Sequence, residues 1–155
     1  MQILCRLTAT TGQNNWLNRS HTLGLVIKNL LDAQVLNNKL YLQLHSRVPP
    51  LYRSGVRYEN EPLWTFQDNP VEEFALIPVV LGRGWGDCDD LAPWRVSELQ
   101  LHGEKAKIRI QWKRPTLANG TKGKKYFHIV VRRQNGSIED PSAKLGMYER
   151  MGAAQ

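Results

Sequence analysis

The chain has little cysteine and no long apolar run, and each shortage excludes a class of protein. Its 155 residues contain only two cysteines, Cys5 and Cys88. Two cysteines cannot form a disulfide framework, so a reducing compartment is expected. No apolar run approaches the ~20 residues of a membrane-spanning helix. The N-terminus shows no basic stretch followed by an apolar core, so we expect no cleaved secretion signal.

Acidic residues are scarce at both ends of the chain and concentrated in its middle. There are 21 Lys and Arg against 14 Asp and Glu, a formal net charge of +7. The basic residues lie mainly in 1–58 and 105–155, and the acidic ones in 59–104. A basic flank would allow contact with nucleic acid or an acidic protein. Cations alternating with apolar residues over 107–113 favour a solvated strand edge over nucleic-acid contact.

The length and a 41% hydrophobic content predict one domain over 1–155. Within it we expect a basic, helical N-terminal segment at 1–58 and a core at 82–147. Apolar residues at helical spacing predict an amphipathic helix over 22–36. The segment 36–44 fits a helix or a strand. We expect a short strand at 1–10 and irregular structure at 51–81.

Cys88 lies in the run GWGDCDDLA, where a glycine-rich turn gives way to a helical pattern over 88–102. Asp87 is a preferred N-cap residue. The free N–H groups and the dipole at a helix N-terminus favour thiolate, the nucleophilic form. A lone cysteine is more often a small buried apolar residue. Asp87, Asp89 and Asp90 also oppose a negative sulfur, so an activated Cys88 needs a basic partner.

His128 is the best candidate for that partner. It lies in an aromatic and β-branched run, a predicted strand over 125–134, on the face opposite to Phe127, Ile129 and Val131. A histidine there can be a structural hydrogen-bonding group or a site residue. The other three histidines belong to expected surface or helix-end positions: His21, His45 and His102.

The predicted fold class is α+β. A helix with Cys88 at its N-terminus packs on an antiparallel sheet of three strands at 105–113, 125–134 and 137–140. The packing stripe of the helix consists of Cys88, Ala92, Val96 and Leu99.

The turn after the second strand decides whether Asp140 can join His128. A two-residue turn places Asp140 opposite Val131, facing away from His128. A three-residue turn with Gly136 in the left-handed conformation pairs Arg133 with Ser137 and places Asp140 on the His128 face. A Cys88–His128–Asp140 row therefore requires the three-residue turn.

In such a row Cys88 would attack a carbonyl or acyl carbon, and His128 would take the thiol proton and pass it to the leaving group. Asp140 would orient the imidazole. The oxyanion would be held by the Cys88 N–H and a second donor, for which the candidates are Gln67, Trp64 and Trp85.

The motif Gly-Asp-Cys-Asp-Asp-Leu-Ala at 86–92, followed by Arg95 and Glu98-Leu99, resembles the bacterial transglutaminase-like cysteine proteinases, a transglutaminase-like or papain-like group. His128 and Asp140 match the second half of that pattern in order and approximate spacing. The resemblance covers roughly 82–147. It implies a papain-like core, catalysis by Cys88, His128 and Asp140, a protein or peptide substrate and no cofactor.

The runs LYRSGVRY at 51–58 and EDPS at 139–142 resemble small proteins encoded by tailed bacteriophages. That likeness implies a location in the host cytoplasm during assembly and in the virion, with other virion proteins as partners.

Two functions of different classes follow. The first is a thiol hydrolase or acyl-transferase, with cysteine peptidase activity expected. The second is an inactive structural or assembly protein of a phage virion that keeps the fold as a docking module. A third function, metal binding, is not expected, because the consecutive acidic residues at a helix start should project in different directions and no second Cys or His has ligand spacing. Its candidate ligands would be Asp87, Cys88, Asp89, Asp90 and His128.

Overall fold

The computed structural model describes residues 20–61, 64–66, 69–71, 73–114, 116–117, 119–123 and 126–148. The strand expected at 1–10 lies outside these residues. The described chain contains four α-helices, a 3₁₀ turn at Leu51–Arg53 and seven short strands. The helices are α1 Ser20–Leu44, α2 Ile77–Arg83, α3 Cys88–Leu101 and α4 Pro141–Lys144. The strands are β1 Arg57–Tyr58, β2 Trp64–Phe66, β3 Asn69–Val71, β4 Trp85–Gly86, β5 Lys107–Lys113, β6 Tyr126–Arg132 and β7 Ile138–Glu139.

The main sheet is antiparallel, with β6 between β5 and β7. Two smaller sheets accompany it: β1 pairs with β4 in parallel, and β2 pairs with β3 antiparallel. The chain is therefore a mixed helix-and-sheet fold, compatible with the α+β class. Among the described residues, no helix has both the length and the apolar character needed to cross a membrane.

Helix α3 is the centre of the packing. Its predicted stripe is confirmed, because Ala92, Val96 and Leu99 are buried against α1 and the main sheet, with Cys88 packed at the edge of the same cluster. The other members of that cluster are Ile27, Leu31, Val35, Ala106, Ile108, Ile129 and Val131. On its other side, α3 buries Leu91 and Trp94 in a second cluster with β1 and α2. Two apolar sides hold its N-terminus firmly in place.

Helix α1 resolves the open choice for 36–44, since the helix continues to Leu44. Two buried amides on α1 explain why. Gln34 Nε2 donates to the Ala75 carbonyl at 2.6 Å, and Asn38 Oδ1 accepts from the Ile77 N–H at 3.1 Å. The second bond caps the start of α2, where an N–H would otherwise lack a partner.

The expectation of irregular structure over 51–81 is wrong. That stretch contains the 3₁₀ turn, β1 to β3 and most of α2. The pattern gave little signal because the strands have two or three residues and α2 has seven. Such short elements depend on tertiary contacts rather than on local propensity.

Candidate functional site

The N-terminus of α3 is closed by reciprocal hydrogen bonds. The Asp87 carboxylate accepts from the Asp89 N–H at 3.3 Å, and the Asp90 carboxylate accepts from the Asp87 N–H at 3.4 Å. This capping box confirms Asp87 as the N-cap. Gly86 lies in a tight space, because a Cβ there would be 3.2 Å from Asp90 and from Val80 and would require these neighbours to move.

The three aspartates differ in environment. Asp90 is buried, pairs with Arg83 through Oδ2 and accepts from the Ala75 N–H at 2.7 Å. Burial raises the pKa of Asp90, and Arg83 and the Ala75 N–H act against that rise. Asp89 is 1% exposed. Burial, together with the charge of Asp87, raises the pKa of Asp89 well above its ordinary value, so Asp89 favours the neutral acid.

The raised pKa of Asp89 lessens the repulsion expected beside a Cys88 thiolate, and Arg83 offsets part of the charge of Asp90. Two of the three opposing charges are thereby reduced. A Cys88 thiolate therefore meets less electrostatic repulsion at this helix N-terminus than it would beside three fully charged carboxylates.

The expectation that the side chains of Asp87, Asp89 and Asp90 project in different directions is wrong. Carboxylate oxygens of Asp87, Asp89 and Asp90 lie within 4.8 Å of one another, because the capping box turns two of them towards the helix start. Oxygens of Asp87 and Asp90 are nevertheless engaged by backbone N–H groups and Arg83, whereas both oxygens of the buried Asp89 lack a hydrogen-bond partner among the described residues. The positive end of the α3 dipole also disfavours a cation there. The cluster acts as a helix cap.

The turn between β6 and β7 has the three-residue form. The Arg133 N–H donates to the Ser137 carbonyl at 2.8 Å, and Gly136 has a φ of 85° in the left-handed region. Val131 pairs with Glu139, the last residue of β7. Asp140 comes next, so it lies level with Val130 and on the face of the sheet opposite to that of Glu139. The turn required for a His128–Asp140 contact is therefore confirmed.

His128 and Asp140 form a hydrogen bond, with 2.8 Å between Nε2 and Oδ2. His128 is only 4% exposed. Asp140 also caps α4, since its Oδ1 accepts from the Ala143 N–H at 3.1 Å. Burial alone would raise the pKa of Asp140, but the bonds from His128 and Ala143 outweigh it and lower that pKa below its ordinary value. Asp140 is therefore a carboxylate at neutral pH.

The two faces of β6 determine how Cys88 can approach the ring. Ile129 and Val131 pack with α3, so His128 points to the other face of the sheet. A contact with Cys88 has to pass around the side of β6. On one side of His128, β6 pairs with β5 through Gln111. On the other side, β7 pairs only with Val131 and Arg132 among the described residues, so Asp140 and the start of α4 lie beside β6 near His128.

Tyr58 connects the segment that ends in Cys88 with the segment that follows Asp140, and sequence reasoning missed it. Tyr58 pairs with Gly86 across the β1–β4 sheet, and its N–H donates to the Leu145 carbonyl at 2.8 Å. Its ring is buried and its hydroxyl donates to Asn60 Oδ1. Burial raises the pKa of Tyr58, and the charges of Cys88 and Asp140 both contribute to the rise. The phenol therefore lies within electrostatic range of both groups.

Among the three oxyanion candidates, the structure describes the side chain of Trp85 alone. Trp85 lies in β4 with the Arg83 guanidinium 3.8 Å from its ring centroid, so its indole stacks with a cation. Trp64 lies in β2, paired with Val71. Gln67 falls outside the described residues.

An ion-pair hub lies next to Asp140 on the α3 side of the sheet. The buried Glu139 accepts from Tyr52 at 2.5 Å, from Arg95 Nε at 2.7 Å and from Arg133 Nη1. It ties β7 to α3 and to the 3₁₀ turn. The hub restrains the strand end from which Asp140 projects. The sequence offers no signal for it, because its members lie as much as 87 residues apart.

Comparisons with known proteins give no assignment. No protein-family model, no curated protein and no solved structure matches the chain.

Proposed function

We propose that the protein is a thiol-dependent hydrolase or acyl-transferase of the cysteine-peptidase kind, with Cys88 as nucleophile, His128 as general base and Asp140 as the orienting carboxylate. The observation that carries this proposal is the His128–Asp140 hydrogen bond. A carboxylate at Nε2 keeps the proton on that nitrogen and leaves the Nδ1 lone pair as the base for a thiol.

The start of α3 supports the role of Cys88. The capped N-terminus supplies a fixed dipole and backbone N–H groups, and both stabilise a thiolate and later an oxyanion. Cys88 is half-buried, so packing holds its position while part of its surface stays accessible. Tyr58 adds a neutral phenol within electrostatic range of the sulfur.

The reaction would proceed as two acyl transfers. The Cys88 thiolate adds to a carbonyl carbon, and the tetrahedral oxyanion meets the Cys88 N–H. His128, protonated at Nδ1 by the thiol, gives that proton to the leaving amine as its bond to carbon breaks. Water or a second amine then releases the acyl group, with His128 taking a proton from the incoming nucleophile.

The second candidate is a docking module in a phage particle, in which Cys88 serves only for packing. Its supporting observation is that Cys88 contacts the apolar cluster of α1, α3 and the main sheet, as structural cysteines do. A phage setting and virion partners belong to both proposals through the motif resemblance alone.

Alkylation kinetics separate the two candidates. In a Cys5→Ser background, Cys88 is treated with iodoacetamide across pH 5–9 in the wild-type site, in His128→Ala and in Asp140→Asn. A free thiol of ordinary pKa has only a few per cent thiolate at pH 7. An activated Cys88 should react about tenfold faster than that reference, because its lower pKa also reduces intrinsic nucleophilicity.

His128→Ala should bring the rate down to the reference value, and Asp140→Asn should shift the pH profile. His102→Ala is the matched control, since His102 ends α3 at the C-cap, far from Cys88. A slow Cys88 with one ordinary pH profile in all variants favours the docking module and rejects the enzyme.

A further inference from the structure

One face of the β5–β6 hairpin carries four cations, Lys107, Arg109, Lys113 and Arg132, called here the cationic face. Directly opposed residues in an antiparallel pair point to the same side. The register pairs Lys107 with Arg132 and Lys113 with Tyr126, which places all five side chains together. All five are exposed.

His128 and Asp140 lie on the same face of the sheet as these cations, but the Asp140 carboxylate is already bonded to His128 and to the Ala143 N–H. None of its four cations makes an ion pair with a described residue, whereas Arg133, on the other face, pairs with both Glu104 and Glu139. Carboxylates therefore neutralise Arg133, whereas the four cations of the cationic face have no carboxylate partner among the described residues.

The arrangement costs stability in the free protein. Lys107 and Arg132 are directly opposed like charges, and such pairs destabilise a sheet. Arg109 is the diagonal neighbour of Arg132, roughly 7–8 Å away at the backbone. Three positive groups thus converge at one end of the hairpin. An anion bound between them would remove the repulsion.

The other end of the face adds a stacking group. Tyr126 is 49% exposed and lies opposite Lys113. An exposed ring beside a cation can stack on a nucleobase while the cation contacts the adjacent phosphate. Lys107 and Lys113 lie six steps apart along β5, about 20 Å at ~3.3 Å per residue, enough for a few nucleotides.

We propose that the cationic face binds single-stranded nucleic acid, with the phosphate backbone along β5 and a base on Tyr126. Arginines 109 and 132 would take phosphate oxygens in the bidentate manner of the guanidinium group. The ring favours this partner over an acidic polypeptide, which would use the cations but has no base to stack. The inference is independent of any chemistry at Cys88.

Fluorescence anisotropy with a fluorescein-labelled 20-nucleotide thymidine strand tests the proposal, using the full chain at increasing NaCl. Affinity should fall with salt, with a slope of about −0.7 per phosphate contact in a plot of log K against log salt. The double variant Arg109→Gln with Arg132→Gln should bind more weakly and reduce the slope by about 1.4. The pair Arg47→Gln with Arg53→Gln is the matched control, because both arginines are exposed, lie outside the face and change the net charge equally.

Tyr126→Ala should weaken single-strand binding at least about fivefold. Its binding to a 20-base-pair duplex, measured in the same way, should be unchanged, because paired bases cannot stack on the ring. Thermal melting of each variant verifies folding. Absence of binding, or equal losses in the Arg47 and Arg53 control, overturns the proposal. Displacement of the strand by polyglutamate at equal charge concentration, with no effect of Tyr126→Ala, assigns the face to acidic polypeptides instead.

Discussion

The imidazole of His128 and the carboxylate of Asp140 are held 2.8 Å apart by a turn of three residues. They meet although the strand that leads to Asp140 has only two residues. Asp140 gains a second restraint as the N-cap of α4. A one-residue change in the turn would move Asp140 to the other face of the sheet and end the contact.

Gly136 should be sensitive to substitution through its backbone alone. A Cβ at Gly136 would meet no atom within 4 Å, so there is room for a side chain. The φ of 85° is what strains a residue other than glycine at this position. Gly136→Val should cost about 1–2 kcal/mol of unfolding free energy, and Gly136→Asn clearly less, because asparagine tolerates the left-handed region. Urea unfolding measures both. Equal losses in the two variants would contradict the assigned turn.

Glu139 should stabilise the fold in a pH-dependent way. Burial opposes its ionisation, but Tyr52, Arg95 and Arg133 outweigh burial and lower the pKa of Glu139 from 4.5 to about 2. A lowered folded pKa means that this stabilisation is complete above pH 4.5 and is lost as the pH falls towards 2.

Glu139→Gln should therefore destabilise the protein at pH 7 by about 3 kcal/mol, since it removes the buried carboxylate that Arg95 and Arg133 share and leaves Arg95 with Glu98 alone among its described partners. The difference from wild type should shrink when urea unfolding is repeated at pH 3. The control is Glu59→Gln. Glu59 forms a solvent-exposed ion pair with Arg57, so this substitution should change stability by less than about 1 kcal/mol. A loss for Glu139→Gln that is independent of pH would refute the ion-pair explanation.

Asp89 and Asp90 should respond oppositely to the same substitution. Asp89→Asn removes a buried carboxyl whose pKa is raised by burial, so stability at pH 7 should rise. A raised folded pKa costs stability as the pH increases, and the gain should vanish near pH 3. The pKa of Asp90 is raised as well, but Asp90→Asn removes the nearest of the three carboxylates that pair with Arg83 and should cost about 3 kcal/mol. Thermal melting of both variants at two pH values checks the contrast, and equal shifts in the two would overturn it.

Tyr58 should matter more through its ring than through its hydroxyl. Tyr58→Phe keeps the packing and loses the bond to Asn60, a cost of about 1 kcal/mol. Tyr58→Ala removes a buried ring between the two halves of the site and should cost about 3–5 kcal/mol. At a temperature where both variants are folded, Cys88 alkylation should slow in Tyr58→Ala and stay within about twofold in Tyr58→Phe. Equal rates in all three proteins would show that Tyr58 plays no part in aligning the site.

Local patterns were sufficient for the parts of the fold with strong periodicity. The stripe on α3, the cap at Asp87 and the three strands of the main sheet follow from residue spacing, and the structure confirms them. The turn at Gly136 could be stated only as two alternatives, because the Asn-Gly sequence suits loops of two or three residues.

The sequence by itself determined where a thiol meets a helix start and which face of a strand carries His128, because both depend on neighbours a few residues away. Only the tertiary structure decided that Asp140 reaches the ring, that Asp89 is buried with a raised pKa, and that Tyr58 and Glu139 contact the segments that carry the site. Those outcomes depend on burial and on contacts between distant segments. No spacing rule along the chain encodes them, because the free energy of a buried charge is set by its surroundings in space.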